Sequence, residues 1–81
     1  MKKFDLAGVD GNAFSVMNYV CGAMHEAFYK ARKEQNELAI KAYNSEARDA
    51  WCKDMMSGNY DRLLALSCAK IEEINLFMEQ E

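Results

Sequence analysis

Three features of this sequence predict an all-α fold. There is no proline and only four glycines in 81 residues, so few positions oblige a helix to stop. Apolar residues recur at steps of three and four through two long stretches. Polar, cap-forming residues punctuate the chain between them, at Asn12, at Asn44-Ser45 and at Ser57-Gly58-Asn59. The expected architecture is one domain, residues 1–81, folded as a small three-helix bundle or helical hairpin with a long first helix and a short extended N-terminal lead-in.

The lead-in covers residues 1–11, where Phe4, Leu6 and Val9 are placed to be pinned under the helices. It ends in the turn cluster Gly8-Val9-Asp10-Gly11-Asn12, in which Asp10 or Asn12 can accept a hydrogen bond from a free amide of the first helical turn. The first helix, residues 12–43, carries Phe14, Met17, Cys21, Met24, Phe28 and Ala31 on one stripe, widened by Val16, Val20, Ala23 and Ala27. The stripe lapses at Gln35 and resumes with Leu38, Ile40, Ala42 and Tyr43, so a break near Asn36 is the alternative to one unbroken helix.

A second helix, residues 45–57, opens with Glu46 at its positive end and is anchored by Trp51. At Ser57-Gly58-Asn59, Gly58 is expected to take the left-handed conformation and Asn59 to cap the third helix, residues 59–79. That helix carries Tyr60, Leu64, Ser67, Ile71, Ile74 and Met78 on one face. The expected core is Phe14, Met17, Met24, Phe28, Leu64, Ile71 and Ile74.

A net charge of −3 has the wrong sign for a dedicated duplex-DNA binder, and nucleic acid is not an expected partner. Cys21, Cys52 and Cys68 are odd in number and lack CxxC spacing; they are expected as free thiols in a reduced, cytoplasmic protein. No apolar run of about 18 residues is present, so no membrane is expected. Cys21 and His25 share a helix face but make only half of a metal site, and the sequence has no phosphate loop, nucleophile elbow or paired CxxC. With one histidine and no assembled motif, the expectation is no enzyme, no catalytic residue, no metal and no cofactor. The residue 8–12 turn could hold a small ligand or nucleotide on its amides, although Asp10 would repel a phosphate.

Two groups of residues read as candidate contact sites. Lys30, Arg32 and Lys33 form a basic cluster, diluted by Glu34 and Glu37. Leu38, Ile40, Tyr43, Trp51, Met55 and Met56 are the candidate partner-binding set: Leu38, Ile40 and Tyr43 lie beyond easy reach of the third helix, and Met55 and Met56, being adjacent, cannot both face inward. So short a chain has trouble covering two wide apolar surfaces. A dimer or higher oligomer, or a host or phage protein as partner, is therefore expected.

The segments Leu6-Ala7-Gly8-Val9-Asp10-Gly11-Asn12-Ala13-Phe14 and Met56-Ser57-Gly58-Asn59-Tyr60-Asp61-Arg62-Leu63-Leu64 resemble a group of short phage and mobile-element proteins with DGNxF-like and SGxYxxLL-like segments. The resemblance departs in the middle of the chain, where the stretch from Gln35 to Ala50 is longer than the group's pattern. It implies a phage or prophage setting in a bacterial host and a small protein that acts by binding, for example an inhibitor of a bacterial defence system of the anti-CRISPR type. The alternative is a homo-oligomeric structural or assembly factor.

Overall fold

The computed structural model describes residues 3–80; Met1 and Lys2 of the lead-in, and Glu81, lie outside them. The described residues are helical with no strand, in the order α1 (Ala13–Lys33), α2 (Glu37–Tyr43), α3 (Ser45–Met56) and α4 (Tyr60–Glu79), preceded by a 3-10 turn at Leu6–Gly8. All four α-helices start on an asparagine. The side-chain carbonyls of Asn12, Asn36, Asn44 and Asn59 accept from Phe14, Ala39, Ala47 and Arg62 amides at 2.8, 3.1, 2.8 and 2.8 Å. Each satisfies an amide that the helix itself leaves without a partner.

The long first helix expected over residues 12–43 is two helices. Its interruption at residues 34–36 follows the alternative reading, and the backbone shows why. Gln35 sits in the left-handed region with φ 55°. Its amide donates to the Arg32 carbonyl at 3.1 Å and the Asn36 amide to Ala31 at 2.9 Å, the paired bonds that close a helix C-terminus. Glutamine replaces the glycine such a motif favours, so no residue type announced it. Asn36 then caps α2 at once.

The chain turns again within a single residue. Asn44 ends α2 and caps α3, and the Arg48 guanidinium donates to the Tyr43 carbonyl at 3.0 Å, satisfying an acceptor at the end of α2. α3 runs antiparallel to α1, bringing Arg48 near Phe28, Cys52 against Cys21 and Met55 into the cluster of Val16 and Met17. α4 then runs parallel to α1: the Tyr60 hydroxyl donates to the Gly11 carbonyl at one end, and the Lys30 ammonium donates to the Phe77 carbonyl at 2.8 Å at the other.

The break before α4 lies where expected, outside helix, but Gly58 is not left-handed. A β-carbon there would lie 2.9 Å from the Arg62 guanidinium and 3.0 Å from Arg62 Cδ. Glycine leaves room for that side chain to fold back over the turn and pair with Asp54 at 3.0 Å.

The described part of the lead-in, residues 3–11, is a capped turn and contains no strand. Asp5 accepts from the Ala7 amide at 2.9 Å, and the Tyr19 hydroxyl accepts from the Asp5 amide at 2.8 Å. Phe4 is buried, and its backbone is held on both sides by the buried Asn75 side chain: the Phe4 amide donates to Oδ1 and Nδ2 donates to the Phe4 carbonyl, each at 2.9 Å.

The core gathers on α1. Val20, Ala23, Met24, Ala27 and Ala31 meet Tyr43 of α2 and Ile71, Ile74 and Phe77 of α4, while a second cluster joins Val16 and Met17 to Met55 and Leu63. Met17, Met24, Ile71 and Ile74 are buried as expected. Phe28 and Leu64 are half-buried, with Arg32 and Arg48 lying over the Phe28 ring. Phe14 corrects the expected core, being 67% exposed: the buried face of α1 is centred on Val16, Val20, Ala23 and Ala27, and Phe14 falls off its edge on the side of Cys21 and Phe28, which are themselves only half-buried.

Two substitutions test this account. Ser67 is fully buried and its hydroxyl has no hydrogen-bond partner among the described residues, so Ser67→Ala should stabilise the fold by about 1 kcal/mol in urea denaturation. Gln35→Gly should stabilise it by about 0.5–1 kcal/mol by relieving the left-handed backbone, whereas Gln35→Val should destabilise it. A neutral Gln35→Val would refute the assigned cap.

Candidate protein-binding face

The surface feature best built from the residues upward is an open groove between α2 and the C-terminal half of α4. Tyr43 forms its floor because it closes the short α2 against α4: its ring packs on Phe77 with centroids 5.9 Å apart, and its hydroxyl donates to the Glu73 carboxylate. Lys70, one turn earlier, also reaches Glu73, at 3.3 Å. Ala39 and Ala42 leave the α2 wall low. The rims are two leucines with almost nothing over them, Leu38 on α2 at 84% exposure and Leu76 on α4 at 66%.

The expected contact residues are placed unevenly with respect to this groove. Leu38 stands on its rim and Tyr43 in its floor, where Tyr43 is buried, so Tyr43 is a packing residue and not an exposed contact. Ile40 is half-buried against the core. Trp51 is half-buried between the two core clusters and lines a separate depression between α3 and α4. Met55 is buried and is likewise removed from the contact set; Met56, its neighbour, is exposed, as adjacent positions on a helix require. Leu76 was missed. It lies off the face that carries Ile71 and Ile74, and a leucine off the stripe was the available signal.

The basic cluster also separates. Lys30 is half-buried, donates to Phe77, lies 4.3 Å from the Phe77 ring centre and pairs with Glu34 at 3.0 Å, which makes it a tie between α1 and the end of α4. Arg32 and Lys33 remain exposed. In the residue 8–12 turn, Asn12 accepts from the Phe14 and Ser15 amides and Asp10 from the Asn12 amide, which engages those three donors within the turn itself.

His25 packs against Tyr29, the rings tilted by 52° with centres 4.7 Å apart, whereas Cys21 turns to Cys52. Among the described residues no group of three His, Cys, Asp or Glu side chains is placed to hold a metal ion, and no helix is long and apolar enough to cross a membrane. Comparison with protein-family models, with curated proteins and with solved structures finds no match for this chain.

Burial, followed by the Glu73 bond and charge, raises the Tyr43 phenol above its ordinary value of 10.0. The folded state therefore favours the neutral phenol. Stability from this group is complete below pH 10.0 and falls as pH rises beyond it, because the unfolded chain releases its proton first. Tyr43→Phe should lower stability by about 1–2 kcal/mol at neutral pH through the lost hydrogen bond, and should show a shallower decline above pH ~10 than the parent chain in denaturant titrations.

Proposed function

We propose that this chain is a non-enzymatic binding protein, a phage or prophage accessory factor acting in the bacterial cytoplasm, and that it docks a host or phage protein on the α2–α4 groove. The observation that carries the reading is the pair Leu38 and Leu76, two large apolar side chains held in water on opposite rims of an apolar floor. Ordered exposure of this kind is a feature of helix-accepting grooves and of contact faces generally. The resemblance of residues 6–14 and 56–64 to phage and mobile-element proteins supports the setting. Within that setting, inhibition of a bacterial defence system of the anti-CRISPR type is the specific role we favour. The second reading, a homo-oligomeric assembly factor, places another copy of the chain in the same groove.

Leu38→Asp with Leu76→Asp tests both. Because the two side chains are exposed, the double variant should melt within a few degrees of the parent chain. Affinity capture from bacterial lysate should recover a protein with the parent that is lost with the variant. Sedimentation of the pure chain discriminates the readings, since a concentration-dependent dimer abolished by the same substitutions supports self-association. A parent chain that stays monomeric and recovers the same proteins as the variant overturns the groove as a binding face.

A further inference from the structure

Cys21 on α1 and Cys52 on α3 are free thiols, 31 positions apart in sequence, whose sulfurs lie 2.6 Å from one another at a half-buried point between the helices. The third cysteine, Cys68, is exposed on α4. We propose that Cys21 and Cys52 form a reversible dithiol–disulfide site that fastens α3 to α1, oxidised by a small-molecule disulfide of the glutathione class.

The placement favours bond formation within one chain. The two thiols come from antiparallel helices that already pack together, so closing the bond needs side-chain rotation and no new contact between elements. Burial first, then the hydrogen bond and charge of Cys52, push the Cys21 thiol up to about 12; Asp49 adds to the rise, and Arg48 opposes it. Cys21 is therefore the poorer first nucleophile, and Cys52 reacts first.

The Cys52 thiolate attacks one sulfur of the small disulfide, forming a mixed disulfide and expelling one small thiolate. With Cys52 capped, burial and Asp49 still raise the Cys21 thiol, but the bond and charge of Cys52 no longer add to them, and Arg48 continues to favour the thiolate. Cys21 then attacks the Cys52 sulfur and expels the second small thiolate. The protein loses two electrons and two protons, and the small disulfide takes them up as two thiols.

The bond would act where the fold is held least. α3 contributes one buried side chain, Met55, whereas α1 contributes seven. A covalent tie to α1 restrains α3 and, through the single-residue joint at Asn44, the α2 segment beyond it. The site stands independently of the groove reading.

Incubating the native chain with oxidised glutathione should yield a monomer lighter by two hydrogens, with a Cys21–Cys52 peptide in the digest and one alkylatable thiol, Cys68. Its melting midpoint should rise by roughly 5–15 °C and return on reduction. Cys21→Ser should stop at a glutathione adduct on Cys52, because the resolving thiol is gone. A native chain that keeps three alkylatable thiols, links through Cys68 between copies, or forms the Cys21–Cys52 bond no faster than it does in urea overturns the proposal.

Discussion

One face of α1 must receive every other helix, and the rest of the structure follows from how it does so. Along that face Ala23, Ala27 and Ala31 succeed one another at steps of four, fully buried, in the same cluster as Val20 and Met24. Side chains this small let neighbouring backbones come close and leave volume for the large groups they bring, Tyr43 from α2 and Ile71, Ile74 and Phe77 from α4. A bulkier residue at any of the three would have to displace neighbours in this cluster. The polar ties lie round the edge of this contact: Lys30 on the Phe77 carbonyl in the last turn of α4, Tyr43 on Glu73, and Asn75 on the backbone of Phe4.

The parts of this arrangement legible in the sequence are those set by neighbours along the chain. An asparagine before an apolar run marks a helix start whatever the helix later touches, and the starts at Asn12, Asn44 and Asn59 were readable for that reason. The stripes placed Met17, Met24, Ile71 and Ile74 inside. What was not legible depends on where helices end relative to one another. Phe14 continues a stripe with Cys21 and Phe28, but the face that the other helices bury is centred on its flank, at Val20, Ala23 and Ala27. The turn at Gln35 uses a residue with no left-handed preference, and Gly58 is needed for the Arg62 side chain instead of for its own backbone. The groove is the extreme case: Leu38 was readable from one helix, but its pairing with Leu76 exists only once Tyr43 has docked on α4.

Shape explains why such a groove survives folding. The body measures 35 × 28 × 15 Å, a slab with little depth, so the outer faces of α2 and α4 have no further layer to cover them. A seven-residue helix is also too short to stand alone, and α2 is held by its floor residue and by Asn36 and Asn44 at its two ends. The apolar face on which the binding proposal rests is therefore a by-product of the geometry that anchors α2.

The clamp between Asn75 and Phe4 joins residues 71 positions apart and brings the lead-in alongside the last turns of α4. The first described segment thus lies beside the C-terminal part of α4, which makes the connectivity of the chain, as distinct from its shape, partly arbitrary. A short linker could join those segments, and new ends could open at the exposed corners at residues 34–36 or 57–58 without cutting a helix. By the same geometry the whole domain could be set as an insert within a surface loop of another protein, with one junction at Gln80 on the edge of the α2–α4 groove.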